Sequence, residues 1–176
     1  MPQLSVVIIT LNEERNIGRC LESVQGLADD IVVVDSGSVD RTREICLEKG
    51  AHFIHHAWEG YIEQKNYASS QAKYDHILSL DADEALSDTL RDSVASVKNN
   101  WEKACYSMNR LTNYCGKWIR HGSWYPDKQL RLFDRTKGAW KGHMIHEKFE
   151  VHPGEKVGHI KGDLLHYSYY SIAEHV

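Results

Sequence analysis

The chain has 176 residues, of which 41% are apolar and 26% are charged, and its formal net charge is −4. This composition predicts one globular domain with a sizeable core, and the acidic balance argues against a general nucleic-acid-binding protein. The four cysteines form no C-x-x-C motif, which favours free thiols in a reducing cytoplasm. The sequence shows no signal peptide, because its first apolar run is short and lacks a basic leader, and no apolar stretch is long enough for a transmembrane helix.

The first half of the chain alternates between strand and helix patterns. Residues 5–10 form a continuous, mostly β-branched run that is typical of a strand covered on both faces, and we expect Asn12 to cap the helix that follows. Residues 31–34 predict a second strand, and a polar loop over residues 35–40 leads to a predicted helix over residues 41–49.

The same alternation continues to about residue 100. Residues 51–55 predict a third strand, residues 61–72 a helix and residues 76–80 a fourth strand. Ser87 is expected to cap a further helix, whose apolar residues recur at helical spacing up to Val97. Strands separated by helices predict a parallel α/β sheet, in which ligands bind outside the carboxyl ends of the strands.

Polar or acidic clusters follow three of these predicted strands. They occupy residues 10–14, 35–38 and 81–84, and one crevice can hold all three because the carboxyl ends of parallel strands share an edge. Asp81 and Asp83 follow a buried apolar run and can converge on one divalent cation and the phosphorylated ligand that it carries. A solvated turn that caps a helix is the simpler alternative for these two residues.

The pattern changes after about residue 100. Residues 104–110 and 129–133 predict strands, so we expect an antiparallel or mixed addition to the same domain. Residues 169–176 are predicted to begin a helix, and the sequence is therefore expected to be a piece of a longer protein. Several aromatic residues of this half suit either stacking on a sugar or core packing: Trp118, Trp124, Tyr125 and Trp140.

The sequence resembles the inverting nucleotide-sugar glycosyltransferases of family 2, which have the GT-A fold. Three segments in register carry the resemblance, within a match from Leu4 to about His166: residues 5–14, 30–42 and 80–84. Residues 124–133 and 143–147 resemble the lipopolysaccharide-core β-1,4-glucosyltransferase-like subgroup. The Q-x-x-R-W motif of processive relatives is absent, which argues against a polymerising synthase.

The resemblance implies a single GT-A domain over residues 1–176: an α/β fold with a mostly parallel central sheet flanked by helices and a smaller mixed or antiparallel C-terminal part. Residues 1–100 are the predicted nucleotide-sugar-binding half and residues 101–176 the predicted acceptor-side half. The implied reaction is metal-dependent transfer of a sugar, predicted to be glucose, from a UDP-sugar to a cell-envelope glycan or glycolipid, with Mg²⁺ or Mn²⁺ as cofactor.

Two alternatives stay open at this point. The first is an enzyme that transfers sugar from a UDP- or GDP-sugar to polyprenyl phosphate, and the second is a nucleotide-sugar-binding module without turnover. A location at the inner face of a membrane is expected to depend on a segment that is not present in this sequence.

The resemblance also implies roles for individual residues. Asp83 is the predicted direct metal ligand, Asp81 is expected nearer the ribose or to ligate through water, and His166 is a candidate third ligand. The residues expected to contact the nucleotide-sugar are Thr10, Asn12, Glu14, Asp35, Lys65, Asp81 and Arg131. Simpler structural roles are a helix cap for Asn12, a solvated lysine for Lys65 and a hydrogen-bonding histidine for His166.

Glu147 is the predicted catalytic base, and Asp127 is the competing candidate. The His146-Glu147 pair departs from the acidic pair or Thr-Glu-Asp that the family carries near this place. A histidine neighbour and the preceding Gly142 suit a mobile loop, which favours Glu147.

Overall fold

The computed structural model describes residues 2–143 and 146–174 of the chain. Four parallel strands form its first half: β1 (Leu4–Thr10), β2 (Asp30–Asp35), β3 (His52–His55) and β4 (His76–Asp81). The helices between them are α1 (Ile17–Val24), α2 (Thr42–Glu48) and α3 (Tyr61–Gln71). All seven residues of β1 are buried, because neighbouring strands flank it and helices cover both faces of the sheet.

The second half of the chain extends the same sheet. Its elements are β5 (Glu84–Leu86), α4 (Asp88–Asn99), β6 (Cys105–Tyr114), β7 (Lys117–Trp118), β8 (Asp127–Asp134), β9 (Gly138–Lys141), β10 (Lys148–Val151) and β11 (Val157–Tyr169). The strand order is β3-β2-β1-β4-β8-β6-β11-β5, with β7 paired to β6, while β9 and β10 form a separate hairpin. Strand β8 is antiparallel to both of its neighbours, and β11 is parallel to β6. The predicted α/β fold with a mixed second part is confirmed.

The apolar core lies on both faces of the sheet. Leu21, Cys46 and Val94 from the helices α1, α2 and α4 pack on one face. On the other face, Phe133 of β8 stacks on Phe149 of the hairpin with ring centroids 3.7 Å apart. This contact fixes the β9–β10 hairpin against the sheet, next to α3.

Ser87 has the expected role at the start of a helix, but Asn12 does not. The Ser87 hydroxyl accepts a hydrogen bond from the Leu90 amide at 3.3 Å, and Gly50 follows α2 with a φ of 76°. Helix α1 begins at Ile17 rather than directly after Asn12. The Asn12 side-chain oxygen instead accepts a hydrogen bond from the Val39 amide at 2.8 Å, so the predicted helix cap is wrong.

The end of the sequence also differs from the expectation of a helix. Residues up to Tyr169 belong to β11, and the described residues beyond it contain a 3-10 helix at Ile172–Glu174. The expected helix extends to residue 176, and residues 175 and 176 lie outside the described part. Of the helices in the described residues, none has both the length and the apolar character that a membrane span requires.

Candidate functional site

The three polar clusters meet at one edge of the sheet. Strands β2, β1 and β4 are neighbours, with Thr10 beside Asp35 and Ile9 beside Asp81 in the strand register. A single cavity of about 750 Å³ is lined by one residue from each of the three clusters: Thr10, Ser36 and Asp83. We name it the strand-end cavity. Parallel strands that end side by side therefore bring the three predicted segments together.

Two aromatic residues that the sequence analysis did not single out also line the strand-end cavity. Trp58 and Tyr61 contact each other edge to face, with ring centroids 4.8 Å apart. Their side chains are 49% and 42% exposed, and such flat rings suit stacking on a base or a sugar. Trp58 lies in an irregular segment without periodicity, so the sequence around it could not predict that its side chain lines the cavity.

Thr10 offers a buried hydroxyl to this cavity. The residue is 6% exposed, and its oxygen has no hydrogen-bond partner among residues 2–143 and 146–174. A buried hydroxyl without a partner is unfavourable. The position of Thr10 therefore agrees with its predicted contact to a ligand, although that contact itself stays a prediction.

Asp35 organises the loop after β2. Its buried carboxylate accepts hydrogen bonds from the Gly37 amide at 2.9 Å and the Ser38 amide at 2.8 Å, as well as from the Ser38 hydroxyl. Gly37 has a φ of 110°, which a residue with a side chain rarely adopts. The neighbouring Ser36 lines the cavity, so Asp35 shapes the wall, and its predicted bond to a base stays a prediction.

Asn12 and Glu14 connect the loop after β1 to the loop after β2. The Glu14 carboxylate accepts from the Arg41 amide at 3.0 Å, and Asn12 accepts from the Val39 amide as described above. Between them, Glu13 lines the cavity, and burial raises the pKa of its carboxyl above the ordinary value. Direct contact of Asn12 and Glu14 with a nucleoside stays a prediction.

Asp81 lies in a network of charges rather than free in the cavity. Its Oδ1 is 3.1 Å from Lys65 Nζ, and its Oδ2 is 3.1 Å from Arg131 Nη2. Burial opposes the charged form of Asp81, but these two cations outweigh it and hold the pKa of the carboxyl below its usual range. Arg131 Nη2 also lies 3.0 Å from Glu84 Oε1, and burial raises the pKa of Glu84.

The two candidate bases both belong to ion pairs. Glu147 Oε1 is 2.9 Å from Lys65 Nζ, and Asp127 Oδ2 accepts from Arg110 Nε at 2.8 Å. Both carboxylates line a second cavity of about 600 Å³. Lys65 connects this second cavity to the strand-end cavity, because the same ammonium group contacts Asp81 and Glu147. Neither role as a base is decided by these contacts.

Asp83 and His166 both line the strand-end cavity and contact each other. His166 Nε2 is 3.2 Å from Asp83 Oδ2, and His166 Nδ1 is 3.3 Å from the Thr112 hydroxyl. Burial disfavours the protonated ring, but the hydrogen bond and charge of Asp83, with the charge of Glu84, outweigh it and raise the pKa of His166. The register of β11 against β5 pairs His166 with Glu84, the first residue of β5, and so places His166 beside Asp83.

The side chains around Asp83 fit a divalent cation only if a substrate and water supply its other ligands. Within the described part of the chain, no group of three His, Cys, Asp or Glu side chains converges as a metal site. Asp81 is paired with two cations, whereas Asp83 and His166, which contact each other, are the predicted ligands that remain at this place. Mg²⁺ is commonly held by one or two protein groups together with substrate phosphates and water, and these residues fit that arrangement.

Comparison with known proteins identifies relatives over most of this sequence. The family model of glycosyl transferase family 2 matches residues 5–152. The lipopolysaccharide core biosynthesis glycosyltransferase LpsC of Rhizobium meliloti is 33% identical over 93% of this chain and 63% of its own length. An uncharacterized glycosyltransferase of Rickettsia typhi is 38% identical over 77% of this chain and 47% of its own length. The chain thus spans about half the length of the curated relatives it matches.

Solved structures share the fold. TarS of S. aureus in complex with UDP superposes with a TM-score of 0.52 at 24% identity, covering 68% of this chain and 38% of TarS. Glucosyl-3-phosphoglycerate synthase of Mycobacterium tuberculosis, with Mg²⁺ and UDP, gives a TM-score of 0.51 at 23% identity, covering 65% of this chain and 44% of the synthase. The likeness confirms the predicted GT-A fold.

Proposed function

The chain belongs to glycosyltransferase family 2, and from this premise we propose that it transfers a sugar from a UDP-sugar to a glycan or glycolipid of the cell envelope, with inversion at the anomeric carbon. The observation that carries the proposal is the strand-end cavity, where Thr10, Ser36 and Asp83 meet. Two similar proteins support the choice of substrates: TarS has been solved in complex with UDP, and LpsC is a lipopolysaccharide core biosynthesis glycosyltransferase.

The strand-end cavity would hold the nucleotide part of the donor. The Thr10 hydroxyl is a buried group in need of a partner, and Trp58 and Tyr61 supply flat surfaces beside it. Ser36, held in place by the loop that Asp35 organises, completes the wall. Glucose is our proposal for the transferred sugar, on the subgroup resemblance of residues 124–133 and 143–147.

Asp83 and His166 would hold Mg²⁺ or Mn²⁺ together with the donor diphosphate. When bound, such an ion supplies electrostatic stabilisation of the negative charge that gathers on the leaving diphosphate. The Lys65 and Arg131 side chains, buried behind Asp81, keep that carboxylate charged. Asp81 therefore contributes a fixed negative charge close to Asp83 at the end of β4.

Glu147 is our proposal for the group that accepts the proton of the attacking hydroxyl. It shares the Lys65 ammonium group with Asp81, so it lies next to the donor side of the second cavity. Asp127 is held by two nitrogens of Arg110, Nε and Nη2, each at 2.8 Å. Asp127 is thus held in place by two charge-assisted hydrogen bonds, whereas Glu147 contacts one ammonium group, and this difference supports our choice of Glu147.

Calorimetry with UDP tests the proposed donor site. We expect UDP to bind, more tightly with Mn²⁺ than without it, and we expect the Asp83→Asn variant to lose that dependence on Mn²⁺. Asp92→Asn is the matched control, because Asp92 is an exposed acid on α4, away from the cavity. If UDP fails to bind with or without Mn²⁺, the proposed function is wrong.

Hydrolysis of a panel of donors then separates the alternatives. UDP-glucose should be cleaved slowly by the wild-type protein, whereas a binding module without turnover would leave every donor intact. Binding of GDP-mannose without binding of UDP-glucose would contradict the glucosyltransferase assignment and favour a polyprenyl-phosphate enzyme that uses a GDP-sugar.

A further inference from the structure

The second cavity adjoins the strand-end cavity across the ion pair of Lys65 with Asp81. Strands β6 and β8 form one wall, and the β9–β10 hairpin forms the other. Asn66 holds the hairpin, because its side chain donates to the Trp140 carbonyl at 3.0 Å and accepts from the Trp140 amide at 3.1 Å. The indole of Trp140 is thereby fixed at this cavity.

Three buried donor atoms at this cavity have no acceptor. They are Nε and Nη1 of Arg131 and Nε1 of Trp140, and none has a hydrogen-bond partner in the described part of the chain. Arg131 is 2% exposed and Trp140 is 4% exposed. A buried donor without a partner costs about 1–3 kcal/mol and more if it is charged, so native structures seldom leave three of them together.

The nearby carboxylates make their ion pairs with other donor atoms. Asp81 and Glu84 both contact Arg131 through Nη2, which leaves its Nε and Nη1 unmatched. Glu147 is paired with Lys65, and Asp127 is paired with Arg110. Asp81 Oδ1 lies 3.1 Å from Lys65 Nζ and also makes no hydrogen bond, so none of these carboxylates satisfies the remaining donors within the described residues.

The chemistry of the three atoms indicates which group would match them. All three atoms can only donate, and the Arg131 guanidinium carries a permanent positive charge. Lys128 and Lys148 are exposed residues that line the same cavity and add positive charge at its rim. A phosphate or carboxylate offers only acceptor oxygens and forms charge-assisted hydrogen bonds, whereas a sugar hydroxyl brings a proton of its own.

We propose that Arg131 and Trp140 bind an anionic group of the acceptor substrate, a phosphate or a carboxylate, in the second cavity. This inference rests on the proposed function, since it names the chemistry of the acceptor for that reaction. The anion would place the acceptor beside Glu147, on the opposite side of Lys65 from Asp81.

The indole N–H of Trp140 gives a direct readout in NMR spectra. The chain has five tryptophans, and the Trp140→Phe variant identifies the signal of Trp140 because it removes the N–H and keeps an aromatic ring. Titrations use glucose 6-phosphate, glucuronate and farnesyl phosphate, each against its neutral counterpart glucose or farnesol. We expect at least one anionic probe to move the Trp140 signal and to bind about tenfold more tightly than its neutral counterpart.

The three anionic probes distinguish the sources of the anion. Tightest binding of glucose 6-phosphate indicates a phosphorylated sugar, tightest binding of glucuronate an acidic sugar, and tightest binding of farnesyl phosphate a lipid phosphate. For the probe that binds, Trp140→Phe and Lys128→Gln should each weaken binding several-fold. Lys156→Gln is the matched control, because Lys156 is exposed and does not line the cavity.

The inference would be overturned if no anionic probe moved the Trp140 signal, and three further results would also contradict it. They are equal shifts with charged and neutral probes, unchanged binding in Trp140→Phe, and displacement of the anionic probe by UDP, which would assign the site to the donor diphosphate. Calorimetry with UDP is measured separately on the same protein. If UDP does not bind but an anionic probe still shifts the Trp140 signal, the donor site alone is refuted. If UDP binds but no anionic probe shifts the Trp140 signal, the anion site alone is refuted.

Discussion

The strand-end cavity and the second cavity are built by different kinds of contact. Around the strand-end cavity, carboxylate side chains accept hydrogen bonds from backbone amides of the loops, as when Asp35 accepts from Gly37 and Glu14 accepts from Arg41. The second cavity depends on charged side chains from segments far apart in the sequence, such as Lys65 of α3 with Glu147 just before β10. The first arrangement fixes loops, whereas the second keeps buried charges neutralised, so the two regions should respond differently to substitution.

The largest expected effect is on stability, at Arg131. The Arg131→Met variant leaves Asp81 and Glu84 without their shared cation, and we expect the free energy of unfolding to fall by about 3–5 kcal/mol. In the strand-end region, Asp35→Asn weakens hydrogen bonds to two amides and should cost only about 1–2 kcal/mol. Urea unfolding measures both variants.

Adding Glu84→Gln to Arg131→Met is the control for this interpretation. Removing the second charge should recover part of the lost stability, because fewer unpaired charges then remain buried. A loss below about 1 kcal/mol in Arg131→Met would show that the charge network does not stabilise the second region.

The next effect is on turnover, at the two candidate bases. We expect Glu147→Gln to lower kcat at least about 100-fold, because the proton acceptor is removed. Asp127→Asn should have a smaller effect, since Arg110 already holds that carboxylate. Initial rates with UDP-glucose and a cell-envelope acceptor measure the difference, and UDP calorimetry confirms that both variants keep the donor site. The opposite ranking would assign the base to Asp127.

Two glycines with positive φ compare the loop at the strand-end cavity with the contact between β11 and α4. Gly162 in β11 has a φ of 97°, and a methyl group there would collide with the backbone of Leu90. Gly37 has a φ of 110°, but a methyl group would meet only an ordinary contact with His55 at 3.7 Å.

Substitution of these glycines should separate strain from collision. Gly37→Ala should cost about 1–2 kcal/mol from the unfavourable φ alone. Gly162→Ala should cost about 1–3 kcal/mol more, because the collision adds to the same strain. Thermal unfolding measures both variants, and equal losses would show that β11 and α4 can separate without penalty.

The smallest effect concerns the thiols. Burial raises the pKa of Cys46 and of Cys105 to about 12 and also raises the pKa of Cys20, whereas Cys115 is only partly buried. A thiolate reagent at pH 8 should therefore modify Cys115 first, and the other three only after unfolding. Mass spectrometry of the labelled peptides checks the order, and early labelling of Cys46 would indicate local opening of α2.

Sequence patterns predicted the strand-end region well because its signals are local. The buried runs of β1, β2 and β4 are each followed by their polar cluster, and parallel pairing then brings the clusters together. Contacts between the loops were not predicted: the side chain of Asn12 binds Val39, 27 residues away, instead of the adjacent helix, and Glu14 binds Arg41 over the same separation. Local spacing could not identify these partners.

The second region was harder to predict because its partners lie far apart in the chain. Arg131 and Glu84 are 47 residues apart, and Lys65 and Glu147 are 82 residues apart. No periodicity connects such pairs, so the sequence indicated charged residues but not their partners. The unmatched donors of Trp140 and Arg131 could be identified only from the structure, because they depend on how the hairpin packs on β8.

Paramagnetic NMR with Mn²⁺ and UDP tests the shared donor site most directly. We expect bound Mn²⁺, in the presence of UDP, to broaden the amide signals of Thr10, Ser36 and Asp83 at the carboxyl ends of three strands. The amides of Leu4 and Ile31, near the opposite ends of β1 and β2, should stay sharp. Broadening at Leu4 and Ile31 instead, or at none of these residues, would contradict the proposal that the three clusters form one UDP-sugar site.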